Sequence, residues 1–339
     1  MVSKILKVTL ACLIIIFIGC KEDKPKTELK STGDAALDQL NQLISKDTTD
    51  KTLYFERAKI FYANNYFDGA INDLESAIKL DSLQPEYYHL LSDAYMDYSK
   101  SKDGLLTIEK CTKLFPERIP SLLKLAETQL ILKQYENSLA TTSRILTINE
   151  NTAEAYFMMG MNLRSVSDLE RAKVAFIKAT EIDPDLVDAW IILGQIYEDE
   201  KDPKALDYYD AAINVDRQNP STWHSKAYYL QNNDRISEAL SIYRQINIID
   251  KNYLDAYLNA GILHLSLDSI PQAYEQFDIM IKVKPQFYLS HYYRGIANEM
   301  LGRIDQAKVD YETSLKLNGN FVKAKDALEA LAAKASEPN

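Results

Sequence analysis

Residues 156–184 read YFMMGMNLRSVSDLERAKVAFIKATEIDP, and two helices can be drawn through them. Tyr156, Met159, Gly160 and Leu163 fall at offsets of 3, 4 and 7, which places them on one face of a helix. Ala172, Phe176 and Ala179 do the same for a second helix. Asp183-Pro184 ends it, because proline has no amide hydrogen and its ring clashes with the preceding turn. The stretch therefore predicts a helix, a tight turn and an antiparallel helix. Gly160 and Ala172 sit where the two axes approach, and a large side chain there would force them apart.

Outward from this hairpin a small residue recurs at Ala58, Ser92, Ala126, Gly160, Gly194, Ala227, Gly261 and Gly295, in steps of 34 residues with one step of 33. Ala70, Gly104, Ser138, Ala172, Ala205, Ala239, Ala273 and Ala307 keep the same beat. A period of this size signals stacked repeats, each burying its face against its neighbours. Gly194 to Ala205 is 11 residues where Gly160 to Ala172 is 12, so the deletion falls in the turn around Asp202-Pro203, where loops absorb such changes.

The pattern resembles the tetratricopeptide repeat family. That family wants an aromatic early in the first helix, read here as Tyr54, Tyr88, Leu122, Tyr156, Trp190, Trp223, Tyr257 and His291. Three residues on it wants a leucine-like side chain, met by Leu91, Leu125, Met159 and Leu193, while Arg57, Lys226, Ala260 and Arg294 depart from it. In the second helix Ala70-Leu74-Ala77, Ala172-Phe176-Ala179 and Ala205-Tyr209-Ala212 match the family's small–large–small pattern, and Ser138-Thr142-Ile145 matches it least. The resemblance covers residues 51–321. It implies an all-α fold, a right-handed α-solenoid of about eight tetratricopeptide repeats with first helices lining a concave side. Ala36, Leu40 and Leu43 keep the second-helix phase, so residues 34–50 read as a half repeat. Phe321, Lys325, Leu328 and Leu331 trace a capping helix within 322–339.

The N-terminus reads differently. Lys4 and Lys7 precede an apolar run from Val8 to Ile18, too short to span a bilayer and suited to a secretory signal over residues 1–19. It ends in Phe17-Ile18-Gly19-Cys20, which resembles a bacterial lipobox. The resemblance implies lipidation of Cys20 with a diacylglyceryl group, and residues 20–33 form a polar tether. A second or third acyl chain makes such an anchor stable. Lys21-Glu22-Asp23-Lys24 resembles the export signal of Bacteroidetes surface lipoproteins, so a lipid anchor at the outer membrane, on its periplasmic face or at the cell surface, is expected. An ordinary signal peptide or uncleaved anchor is the alternative. Cys12 and Cys20 belong to this region, which leaves Cys111 as a small buried residue with no disulfide partner. The formal charge of −10 becomes −12 once Lys4 and Lys7 are removed, which disfavours nucleic acid and an electrostatic hold on anionic lipid.

Projecting each first helix from its small residue directs Phe55, Tyr62, His89, Met96, Leu123, Phe157, Met161, Ile191, Tyr228, Leu258, Ile262, Tyr292 and Ile296 inward. Acids, among them Asp93, Asp97, Glu198 and Asp199, are interspersed, with few bases such as Lys59, Lys124 and Arg164. Aromatic and methionine side chains give adaptable contact area, and the acids favour a neutral or basic protein segment. The plain alternative is that these apolar groups pack between neighbouring first helices. The family's clamp for C-terminal carboxylates needs a lysine where this chain has Phe55, His89, Leu123, Phe157, Ile191, His224, Leu258 and Tyr292, so that activity is not expected. His89, His224, His264 and His291 form no zinc motif, there is no phosphate loop, and 10 glycines are too few for catalytic loops. No enzyme activity, cofactor or metal is expected. The reading is a lipid-anchored, non-catalytic scaffold of the cell envelope, with an accessory glycan-binding or enzyme-recruiting subunit at the outer membrane as the alternative.

Overall fold

A computed structural model describes residues 33–336; the signal, Cys20, the tether up to residue 32 and the last three residues lie outside it. Among the described residues there are eighteen helices and no strand. α1 (Ala35–Lys46) precedes eight pairs of similar helices. These are α2 (Lys51–Ala63) and α3 (Phe67–Leu80), α4 (Pro85–Asp97) and α5 (Ser101–Leu114), α6 (Ile119–Ile131) and α7 (Tyr135–Ile148), and α8 (Ala153–Ser165) and α9 (Leu169–Ile182). Then follow α10 (Val187–Asp199) and α11 (Ala205–Val215), α12 (Pro220–Asn232) and α13 (Ile236–Ile249), α14 (Leu254–Ser266) and α15 (Ile270–Val283), and α16 (Tyr288–Met300) and α17 (Ile304–Leu317). α18 (Val322–Ser336) packs on α17. The helices fall into two compact bodies, α1–α4 and α5–α18.

Local chemistry sets the helix ends. Asp34 Oδ1 accepts from the amides of Ala36 and Leu37, and Asp50 caps α2 in the same way. Pro85, Pro120, Pro220 and Pro271 occupy first-turn positions, where the missing amide hydrogen leaves no bond unmade. Most turns within a pair pass through one left-handed residue, such as Asn65, Ser167 or Asp268. At Ser167–Asp168 the amides bond back to Arg164 and Leu163 carbonyls, closing the end of α8. The one-residue deletion costs α11 its first turn: it has 11 residues, whereas α9 and α13 have 14.

Both series of small residues are buried throughout. Gly160, Gly194, Gly261 and Gly295 each lie against an aromatic ring from the second helix of the pair: Phe176, Tyr209, Phe277 and Tyr311. Where the small residue is alanine the facing group is usually smaller, as with Ala58 and Leu74 in one core cluster; Ala227 with Tyr243 is the exception. The third pair, the poorest match to the family pattern, adds hydrogen bonds at its second-helix small position. Ser138 Oγ donates to the Ala126 carbonyl at 2.8 Å and accepts from Asn162 Nδ2 at 2.8 Å.

The basic departures from the leucine-like position join helices. Arg57 donates through Nε and Nη2 to Asp73 on α3 and through Nη1 to Asn41 on α1, residues 16 positions to either side. Arg294 repeats this with Asp310 on α17 and Asp278 on α15. Lys226 pairs with Asp210, 16 residues earlier on α11.

Two expected faces need correction. α1 buries Leu37 and Ile44, with Leu40 half-buried; Ala36 and Leu43 are exposed. The inward line of α1 thus runs 37, 40, 41 and 44, a helical stripe that also brings Asn41 to Arg57. In α18 the buried line is Ala324 and Leu331, with Ala327 and Leu328 partly covered, while Lys325 is exposed and pairs with Glu329. Aliphatic groups take the single available contact and the lysine stays in water.

Candidate partner-binding face

The first helices carry the candidate groove residues, and the structure leaves none of them buried. In the first body, Phe55 packs against Tyr87 with ring centroids 4.7 Å apart and lies under Lys59 Nζ. Tyr62 Oη donates to Asp97 Oδ2 across α2 and α4, and burial together with that carboxylate pushes the phenol pKa up. His89 and Met96 are half-buried on α4. In the second body, Leu123, Phe157, Met161, Leu258, Ile262, Tyr292 and Ile296 pack partly on the cores of their own pairs, and Ile191 is half-buried. Phe157 meets the Phe176 ring edge-on at 5.7 Å, and Tyr292 meets Phe321 at 5.0 Å. For these residues much of the apolar surface is already in use. Tyr228 is different: 47% of it is exposed.

Tyr228 borders a hollow of about 390 Å³ formed by α8, α10, α11 and α12. Arg164, Gln195, Glu198, Asp199, Tyr209, His224 and Ser225 complete its lining. Arg164 Nη2 donates to Gln195 Oε1 at 3.1 Å, tying α8 to α10. Tyr209 Oη donates to Glu198 Oε2 at 2.6 Å, and burial with this bond holds the phenol well above its ordinary pKa. His224 stacks on Tyr228 at 6.4 Å, and its Nε2 receives the Asn259 amide of α14 at 3.0 Å. Two carboxylates against one guanidinium leave the lining negative. Rings, amide and hydroxyl groups offer stacking and hydrogen bonds, and the set holds no nucleophile–base–orienter arrangement.

Of the thirteen candidates, Tyr228 alone lines this hollow; Glu198, Asp199 and Arg164 were expected on the same face. His224 was missed, although it occupies the register of His89, one place after the early aromatic. Gln195, Ser225 and Tyr209 carry no sequence signal that separates them from ordinary helix-surface or core residues.

Burial of His224 holds its imidazole below the usual pKa, with the charge of Asp255 acting the other way; His264 is lowered similarly by burial, with the charge of Glu275 opposing it. The unfolded chain therefore binds more protons than the folded chain just below pH 6.5. The stability these groups contribute is full above that pH and shrinks as pH falls. Melting temperature should drop between pH 7.5 and 5, and the drop should be smaller in His224→Gln/His264→Gln. An equal drop in both proteins would remove the histidines as its cause.

Among the described residues no group of three or more His, Cys, Asp or Glu is placed to hold a metal, and no helix is long and apolar enough to cross a membrane. Cys111 is fully buried.

Residues 153–186 match the family model for the tetratricopeptide repeat, whose members in general bind proteins and peptides and are mostly scaffolds or receptors. The type IV pilus assembly protein PilF of Pseudomonas aeruginosa is 26% identical over 140 residues, covering 40% of this chain and 54% of that protein. The peroxisomal targeting signal receptor of Candida albicans is 23% identical over 213 residues, 59% of this chain and 36% of the receptor. Tetratricopeptide repeat protein 37 of Xenopus laevis is 22% identical over 160 residues, 43% of this chain and 10% of that protein. The chain thus spans at most about half the length of these relatives. Among solved structures, YrrB, described as a TPR protein with an unusual peptide-binding site, is 26% identical with a TM-score of 0.41, over 56% of this chain and 98% of YrrB. The APC/C hetero-tetramer Cut9–Hcn1 gives 14% identity and a TM-score of 0.46 over 89% of this chain and 60% of that one.

Proposed function

We propose that this chain is a lipid-anchored, non-catalytic scaffold of the cell envelope that captures a neutral or basic protein segment on its first-helix face. The observation that carries the binding half is the hollow beside Tyr228, where an exposed ring stands next to Glu198 and Asp199. An aromatic side chain that keeps its face in water on a repeat scaffold supplies contact area at low entropic cost. The carboxylates steer a basic segment toward it. Support for the anchor comes from the apolar run Val8–Ile18, the box ending at Cys20 and the polar stretch that follows. The lipid fixes location at the outer membrane, and the repeats present the surface.

Crosslinking in the native envelope tests the binding half. A photo-crosslinker at position 228 should capture a discrete protein, and Asp199→Lys should weaken that capture about tenfold or more. Capture that ignores the charge reversal would refute the site. For the anchor, Cys20→Ala should release the chain from carbonate-washed membranes into the soluble fraction. Retention of the variant on membranes would overturn lipidation.

A further inference from the structure

In the second body, α13 and α15 flank a cleft of about 630 Å³. Tyr257, Ala260 and His264 of α14 contribute to its lining. One residue of its lining departs from the other units. Ala260 stands in the register filled elsewhere by leucine, by methionine, or by Arg57, Lys226 and Arg294, which reach acids or amides 16 residues away in the chain. At that distance to either side of Ala260 stand Arg244 and Gln276, and both line the cleft. With a methyl group between them, neither a leucine plug nor a cationic staple closes the space.

Two further lining residues, Asn247 and His264, carry buried polar atoms, Oδ1 and Nδ1, with no hydrogen-bond partner among the described residues. Such atoms are costly to leave unpaired and mark a place for an outside group. Asn247 carries no charge, and burial biases the His264 imidazole toward its neutral form. The group that satisfies them must donate to the Asn247 oxygen. A hydroxyl does this and can also either donate to or accept from an imidazole nitrogen. Ser237, Ser241 and Gln276 add uncharged partners, and Arg244 and Glu275 offset each other in charge. Leu240, Tyr257 and Ile279 offer apolar surface to the carbon face of a ring.

We infer that this cleft binds a small neutral polyhydroxylated ligand, of mono- or disaccharide size. Its volume falls within the range of small-molecule sites, and its few converging polar groups on an apolar floor are what orient such ligands. The site is independent of the first-helix hollow and can hold ligand whether or not that surface binds protein.

Calorimetric titration of the full-length chain in mild detergent tests this, with glucose, galactose, N-acetylglucosamine and maltose as probes and glutamine and lysine as controls. At least one sugar should bind and the amino acids should not. Ala260→Leu, which places there the leucine of three other units, should keep or raise the melting temperature and abolish the heat. His264→Ala should weaken binding about tenfold. No response to any sugar, binding confined to the amino acids, or sugar binding unchanged in a folded Ala260→Leu protein would each overturn the inference.

Discussion

Replacing Gly160 with leucine should destabilise the chain by about 1–3 kcal/mol or more, because the added side chain has nowhere to go. A Cβ at this position would lie 2.7 Å from the Phe176 ring, and Phe176 is wholly buried. The ring is held in turn by Phe157 and by the cluster of Leu163, Ala172 and Leu193, so it cannot swing aside without opening the neighbouring pair. Because each unit draws stability from its neighbours, local loosening should spread to α7 and α10 before the ends respond. Amide exchange followed by mass spectrometry, alongside the melting temperature, reads both effects. The reciprocal change gives a control: Gly160→Ala with Phe176→Leu reproduces the Ala58–Leu74 combination and should recover part of the loss. An unchanged melting temperature in Gly160→Leu would mean that the helices do not meet at this residue.

That contact was legible in the residues because it is local. Gly160 and Phe176 are joined by one hairpin, and the same offset returns in Gly261 and Phe277. The small residue shrinks as its partner grows, which a sequence displays without coordinates. The polar ties were not legible. Arg57 and Arg294 stood out only as breaks in the apolar pattern, since their partners lie on two other helices and become visible only when three helices are in register. The phase of α1 failed for a related reason: a helix with one neighbour buries a narrow stripe, and Leu37–Ile44 and Leu40–Leu43 satisfy helical spacing equally well. At the candidate site, projection from the small residues selected a face of the first helices but could not separate side chains committed to packing, such as Phe157, from Tyr228. Whether a half-buried ring faces water depends on its neighbours' rotamers, which periodicity does not encode. The cleft at Ala260 was present in the sequence as a departure, but its meaning needed the unpaired atoms of Asn247 and His264.

Arg294→Met should cost about 3–5 kcal/mol, since it strands a carboxylate that has almost no access to water. Asp310 is 2% exposed and receives a two-pronged bond from the guanidinium, at 3.0 Å from Nε and 2.7 Å from Nη2. Asn298 Nδ2 adds one neutral bond at 3.0 Å and cannot balance the charge. The third prong, Nη1 to Asp278 Oδ1 at 2.7 Å, ties α15 to α17 through α16. Arg294→Met/Asp310→Leu removes charge and counter-charge together and should regain most of the loss, because a paired buried ion contributes little net stability over an apolar pair. Acid titration supplies an independent reading. Burial favours the protonated form of Asp278, but the hydrogen bonds from Lys282 and Arg294 outweigh it and hold the pKa below 3.8. The stability from this group is therefore present above that pH and lost as pH falls through the lower folded value. The wild-type chain should lose stability there more steeply than the double variant, in which Asp278 keeps only Lys282. If Arg294→Met melts with the wild type, the buried network is not a support of the C-terminal repeats, and their cohesion must come from the Gly295–Tyr311 contact and the α18 cap.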